Sequence, residues 1–281
     1  MLALPEPYAT HLPPLLAAAF SEDLPDLTGT AVFAAEERTN AFLIAKKAGV
    51  LCGMPAFAAA FAFLDPTCAV AVARADGDAV EAGETAARVT GSTRAIVAAE
   101  RTALNFTTRL SGVATLTRRF VDAVAGTGCR ILDTRKTTPG WRALEKHAVR
   151  CGGGTNHRMG LYDAAMLKDT HLAAAGSLSA AVEKVRETWG ADVPLVVECA
   201  TLPMVDEALS CLVGHIMLDN MDLPMIRAAV AVVAGRARVE VSGGVTLESV
   251  RELAATGVDF ISVGALTHSA PALDLSLRVR P

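Results

Sequence analysis

The sequence predicts an α/β chain, with a strand-rich α+β region first and an α/β barrel after it. Three observations carry this. From residue 130 onward, six short apolar runs alternate with amphipathic stretches. Nearly every run ends in a polar residue, as strands do when reacting groups gather at one end of a barrel. No G-x-G-x-x-G turn follows the first run, as an open doubly wound sheet would normally show.

The elements follow in order. Residues 39–46 alternate apolar and polar and read as a strand. The uncharged stretch 48–64 is interrupted by Gly49, Gly53 and Pro55, so it reads as a turn and then a buried helix over 55–64, ended by Asp65-Pro66. Residues 69–73 and 86–89 look like further strands, with turns at Gly77-Asp78 and Gly83. Residues 95–124 read as one or two long helices. The barrel strands are expected at 130–134, 164–169, 195–199, 216–220, 239–242 and 260–264, where length and β-branched content suit buried parallel strands. Helices are expected between them at 177–189, 202–212, 223–234 and 247–255. The last stretch, 272–280, is expected to return to the first domain. The division is therefore 1–108 with 272–281, and 109–271.

Composition narrows the function. The chain has 281 residues, is 52% hydrophobic and carries a net charge of −4. Between Arg130 and His171, however, stand eight Lys or Arg against four Asp or Glu, a local surplus of about +4. A cationic pocket in an acidic protein suits a small polyanion, not nucleic acid. The six cysteines include no Cys-x-x-Cys pair, so no zinc ribbon or thioredoxin motif is indicated and reduced cytosolic thiols are expected. The N-terminus lacks a signal-peptide pattern, and the uncharged stretch is short for a membrane span. A cytoplasmic location without membrane association is the expectation.

The candidate site residues lie around the expected strand ends. Arg135 offers a planar fork for carboxylate or phosphate, and Lys136 adds a compact charge. His157, Arg158 and Lys168 are expected at neighbouring strand ends. So many cations would be costly together without an anion between them. Gly152-Gly153-Gly154 would let backbone amides approach a ligand. Glu198 and Asp219 end adjacent strands and suit Mg²⁺ held largely through a phosphorylated substrate. Ser242-Gly243-Gly244 and Val263-Gly264-Ala265 close the last two strands, a common place for a phosphate in a barrel. His268 either contacts the same phosphate or caps a helix.

With these residues in place, the chain resembles the quinolinate phosphoribosyltransferase family. The matching stretches are Glu100-Arg101-Thr102-Ala103-Leu104-Asn105, Leu110-Ser111-Gly112-Val113-Ala114-Thr115, Asp133-Thr134-Arg135-Lys136-Thr137-Thr138-Pro139-Gly140, 152–158, Leu167-Lys168-Asp169, Met217-Leu218-Asp219-Asn220, Ser242-Gly243-Gly244 and 262–269. They run in order over most of the chain. The resemblance implies an N-terminal open α/β sandwich, and a C-terminal α/β barrel with fewer than eight strands. It implies a homodimer, or a higher oligomer built from it, whose active site is shared, with Arg101 entering from the partner subunit. It places Arg101, Thr134, Arg135, His157, Arg158 and Lys168 around quinolinate, and Lys136, Glu198 and Asp219 at phosphoribosyl pyrophosphate and its Mg²⁺. It places Ser242, Gly243, Gly244, Val263, Gly264, Ala265 and His268 at the 5′-phosphate. The implied reaction makes nicotinate mononucleotide, pyrophosphate and CO₂, a step of NAD biosynthesis.

Three departures stand out. The usual Glu-Asp-Leu-Gly-x-Gly-Asp reads Glu22-Asp23-Leu24-Pro25-Asp26-Leu27 here, Val196 stands where another Glu is common, and Thr170 replaces Asn. The second is expected to remove a carboxylate near the metal. The altered first motif leaves open a molybdenum-uptake-linked paralogue of the same fold. A Schiff-base aldolase using Lys168 or Lys136 is a second alternative. A biotinyl-type carrier, suggested by the turn at 78–91, is a third, though the modifiable hairpin lysine is absent.

Overall fold

The computed structural model describes residues 4–280. In chain order its elements begin with α1 (Tyr8–Asp23), α2 (Leu27–Val32), β1 (Arg38–Ala45), β2 (Gly49–Val50), α3 (Met54–Leu64), β3 (Ala69–Val72), β4 (Ala79–Val80), β5 (Thr85–Ser92) and α4 (Thr93–Ala123). Then come β6 (Arg130–Leu132), α5 (Arg142–Cys151), β7 (Ala165–Leu167), α6 (Asp169–Ala175), α7 (Leu178–Trp189), β8 (Leu195–Cys199), α8 (Leu202–Ser210) and β9 (His215–Asp219). Last are α9 (Leu223–Val233), β10 (Arg238–Ser242), α10 (Val250–Ala254), β11 (Phe260–Ser262), α11 (Ala265–His268) and β12 (Leu275–Arg280). Among the described residues, no helix is long and apolar enough to cross a membrane.

The chain divides into two compact units. The first holds the residues up to Arg118, Thr137–Gly153 and those from Leu266 onward; the second holds Arg119–Lys136 and Gly154–Ala265. This differs from a cut at residue 108. The helix α4 continues past it without a break, and α5 buries Leu144, Glu145, Lys146, Ala148 and Val149 in the first unit.

In the first unit, an antiparallel sheet runs β12-β1-β5-β3, so the C-terminal stretch does return to pair with β1. The helix α3 starts with Pro at its first turn, where a missing N–H costs nothing, and buries Phe57 and Phe61. The helix α1 was not foreseen, because Pro13 and Pro14 stand in its interior, where proline costs about 3 kcal/mol. It forms because Tyr8, Leu12, Leu16 and Phe20, spaced four apart, make one buried stripe. Phe20 stacks on Phe63 with ring centres 5.0 Å apart.

In the second unit, six parallel strands run in the order β6-β11-β10-β9-β8-β7, fewer than the eight of the common barrel. All six strands lie where the apolar runs predict them. The connecting turns carry helix-start chemistry. Ser177 accepts the Ala180 N–H ahead of α7, and Asp222 accepts the Met225 N–H ahead of α9 at 2.9 Å. After β7, β8, β9 and β11 the next helix begins within a few residues, which leaves those C-terminal strand ends as short polar turns. Next to β6, the segment after Gly154 adds one more rung: Thr155 bridges Leu132 in parallel.

Candidate active site

Register decides which side chains share a face, because partners in a parallel pair project to the same side. Glu198 of β8 is opposite Met217 of β9, which is opposite Glu240 of β10. Asp219, two residues beyond Met217, shares that face one step nearer the C-terminal end and is paired with Ser242. Glu198, Asp219, Glu240 and Ser242 thus lie on one face, with Gly243 and Gly244 directly after. Val196 shares this face as well, opposite His215. It lies about 6–7 Å deeper than Glu198 along the strand. The replacement of a glutamate at 196 therefore alters the barrel interior beside His215, not the strand-end level of Asp219, contrary to the expectation from sequence.

Lys168 follows β7 and reaches across to Glu198, with Nζ 2.5 Å from Oε1. Its backbone N–H donates to His171 Nδ1 at 3.1 Å, which ties the lysine to the first turn of α6. Thr170 is exposed in that turn and its N–H bonds Asp169, so its replacement of Asn leaves this arrangement intact.

His157 and Arg158 do not end a strand, as the sequence suggested; they precede β7. They are held beside the end of β6 by Asp133. This carboxylate is fully buried and accepts the His157 N–H at 2.9 Å and the Asn156 side-chain amide at 2.5 Å. Arg158 donates to the Ala164 carbonyl at 2.9 Å. Its guanidinium is pushed below its ordinary pKa, first by burial and then by the charge of Arg135 nearby, with Asp163 and Glu198 opposing. Arg135 has its Nε buried with no hydrogen-bond partner. Two guanidinium groups press on each other here, and one donor is unsatisfied. An anion between the two groups would relieve both. Thr134 accepts the Lys136 N–H through Oγ1 at 3.0 Å, which shapes the turn that exposes Lys136.

Below this level lies a network that sequence reasoning missed. Glu240 is fully buried, 3.3 Å from His157 Nε2 and 2.8 Å from His215 Nε2, and accepts from the Ser262 hydroxyl. Both imidazoles turn Nε2 toward the Glu240 carboxylate. Burial alone would raise the Glu240 carboxyl. The two histidines and Ser262 outweigh burial and hold it down at about 2, from 4.5. The His157 ring therefore turns to Glu240 inside the barrel while its neighbour Arg158 meets Arg135. A depressed carboxyl stabilises the fold above its unfolded pKa, and that contribution is lost as pH falls from 4.5 toward 2. Urea midpoints of the wild type should drop through that window, while those of Glu240→Gln, lower at neutral pH, should fall less steeply across it. Parallel curves would contradict the role given to Glu240.

The glycine turns proposed from sequence for phosphate follow β10 and β11. Gly243 has φ +101°, and a Cβ there would overlap the Asn220 side-chain oxygen, so only glycine fits. Gly244 also has positive φ, at +61°. Val263 is buried, its N–H bonded to the Leu132 carbonyl, and Gly264 and Ala265 lead into α11. Arg101 is exposed on α4, and His268 is exposed with Nδ1 2.6 Å from Ser269 Oγ; both belong to the first unit.

The cationic run is thus divided by the fold. Arg135, Lys136, Arg158 and Lys168 stay with the barrel. Arg142, Lys146 and Arg150 lie on α5 in the first unit, where Lys146 is buried. Arg130 starts β6 and stacks on Phe260, 4.7 Å from the ring centre. A cleft of about 720 Å³ reaches His157 and Arg158 but is otherwise lined from the N-terminal ends of strands, including Leu195 and His215. It includes none of Lys136, Lys168, Glu198 and Asp219. The chemistry-bearing groups, not this cleft, define the candidate site.

Residues 113–278 match the family model of the quinolinate phosphoribosyl transferase C-terminal domain, and residues 26–111 match that of its N-terminal domain. The chain is 43% identical to the chloroplastic nicotinate-nucleotide pyrophosphorylase (carboxylating) of Arabidopsis thaliana, over 90% of this chain and 78% of that protein. It is 41% identical to quinolinate phosphoribosyltransferase (decarboxylating) 1b of Nicotiana tabacum, over 92% and 78%. The crystal structure of NadC from Streptococcus pyogenes superimposes with a TM-score of 0.90 at 39% identity, covering 95% of this chain and 96% of that one.

Proposed function

The chain belongs to the quinolinate phosphoribosyl transferase family, and from that premise we propose that the Arg135–Arg158–Lys168 cluster is its quinolinate site. The reaction is transfer of the phosphoribosyl group of phosphoribosyl pyrophosphate to quinolinate, with decarboxylation. The products are nicotinate mononucleotide, pyrophosphate and CO₂. The observation that carries the site assignment is the buried, partnerless Nε of Arg135 beside the desolvated Arg158. A dicarboxylate would satisfy that donor and remove the repulsion between the two cations. The molybdenum-linked alternative has no support from the matched relatives.

The roles follow from position. Arg135 and Arg158 grip the carboxylates, joined by Lys168 and by the partner subunit's Arg101 in a homodimer. Thr134 shapes the turn. His157, its Nε2 turned to Glu240, supports the Arg158 backbone, whose N–H it accepts at 2.7 Å. The loops Ser242-Gly243-Gly244 and Val263-Gly264-Ala265, with His268, receive the 5′-phosphate. Mg²⁺ takes oxygen ligands, and Glu198 and Asp219 supply carboxylates on one face. Because Lys168 already engages Glu198, the ion would be held largely through pyrophosphate oxygens. When bound, it neutralises charge on the leaving group.

Lys136, exposed beside Arg135, adds positive charge as the bond from the sugar C1 to pyrophosphate breaks. The bonding electrons leave with pyrophosphate, and the pyridine nitrogen donates its pair to C1. The ring is then cationic. The bond to the 2-carboxylate breaks, CO₂ leaves, and the electron pair passes into the ring, where C2 takes a proton. Fixed charges and orientation do the catalytic work, and no covalent enzyme intermediate is needed. The free thiols of the six cysteines accord with a reducing, cytoplasmic setting.

The experiment supplies purified protein with phosphoribosyl pyrophosphate, Mg²⁺ and either quinolinate or nicotinate. Nicotinate mononucleotide should form from quinolinate alone. Product from nicotinate only, or none from a folded protein, would overturn the proposal.

A further inference from the structure

Away from the barrel, in the first unit, two thiols, an imidazole and a carboxylate converge. Cys52 precedes α3, Asp76 lies in the turn between β3 and β4, and His147 and Cys151 stand one turn apart on the same face of α5. Their ligand atoms all lie within 4.8 Å of one another. His147 Nε2 is 3.2 Å from Asp76 Oδ2 and 3.4 Å from Cys151 Sγ, and Cys52 Sγ is 3.7 Å from the same Asp76 oxygen. Adjacent ligand atoms around a tetrahedral zinc, at the usual bond lengths, are about 3.4–3.8 Å apart. From these distances we infer that Cys52, Asp76, His147 and Cys151 form a structural site for Zn²⁺ or a similar thiophilic divalent cation.

The surroundings are built for such a site. Asp76 Oδ1 accepts the Met54 N–H at 2.8 Å, and Oδ2 accepts the Tyr8 hydroxyl at 2.6 Å, so the carboxylate is fixed from both sides. The backbone of Cys52 is clamped by Ser111, which accepts its N–H at 2.9 Å and donates to its carbonyl at 3.0 Å. Cys151 Sγ already lies 3.4 Å from His147 Nε2. Cation binding would displace the thiol protons of Cys52 and Cys151. With Nε2 on the metal, the His147 proton resides on Nδ1. Arg150, now 3.3 Å from Nδ1 and exposed, then turns to solvent. Four protein ligands leave no open position, so the cation braces the fold and does no chemistry. It ties α5 to the segments carrying Cys52 and Asp76, and through Tyr8 to α1.

The test uses the full chain, demetallated under a phosphine reductant and titrated with Co²⁺. Intense visible bands of tetrahedral cobalt and a thiolate charge-transfer band should appear, saturate at one ion per chain and vanish on adding Zn²⁺. Cys151→Ser and His147→Gln should each abolish the tetrahedral spectrum, while Cys211→Ser, remote from the cluster, retains it. Wild-type protein without that spectrum would overturn the site. So would a spectrum surviving both substitutions, or two thiols lost to a Cys52–Cys151 disulfide in the protein as purified.

Discussion

Replacing Arg135 by alanine lowers kcat/KM for quinolinate by two to three orders of magnitude and leaves the circular dichroism spectrum unchanged. Removing one partner of a buried, hydrogen-bonded charge pair costs about 2–5 kcal/mol, and every 1.4 kcal/mol is a factor of ten. Arg135 sits at that level, because its Nε is buried with no hydrogen-bond partner among the described residues. The loss should fall on quinolinate and spare the KM for phosphoribosyl pyrophosphate. Arg135→Lys should recover little, since a point charge cannot reproduce the planar fork. Removing Arg135 also relieves the repulsion on Arg158, so the free variant should be no less stable than the wild type. A variant that keeps its quinolinate affinity would show that the carboxylates bind elsewhere.

The second large effect concerns stability. Glu145 is fully buried on α5. It accepts Arg109 Nη2 at 2.8 Å and Nε at 3.2 Å, and it accepts both the backbone N–H and the hydroxyl of Thr138. Arg109 also donates to the carbonyls of Ala270 and Thr267. Glu145→Ala strands a partly buried guanidinium and costs about 3–5 kcal/mol. At about 2–4 °C per kcal/mol for a chain of this order, Tm should fall by roughly 6–20 °C in a thermal melt. A fall of a degree or two would mean that Arg109 is satisfied by its carbonyl partners alone.

The barrel was legible because its strands are short apolar runs ending in polar residues, a pattern set by local chemistry. The strand-end groups Lys168, Glu198, Asp219 and Ser242 were legible for the same reason. Arg158 and His157 were found as residues but misplaced, because what seats them is a loop-to-strand bridge through the buried Asp133. An aspartate at the end of an apolar run was the available signal. The helix α1 was hidden by its two prolines. The helix α5 was hidden by its charges: Arg142, Glu145, Lys146 and Arg150 entered the sequence reading only as part of the charge count, and only tertiary pairing allows Glu145 and Lys146 to be buried. The cysteine cluster was invisible for a different reason. Cys52 and Cys151 are far apart in sequence, and metal-motif reading depends on close spacing.

The central claim is that this chain joins quinolinate to phosphoribosyl pyrophosphate and releases the 2-carboxylate in the same turnover. The direct measurement follows pyrophosphate and CO₂ together, with quinolinate labelled in its 2-carboxylate and Mg²⁺ present. Equal amounts of both should appear at all times, with about a hundredfold less of each, or lower, from Arg135→Ala at the same subsaturating substrate concentrations. Pyrophosphate released without labelled CO₂, or neither product from folded wild-type protein, would contradict it.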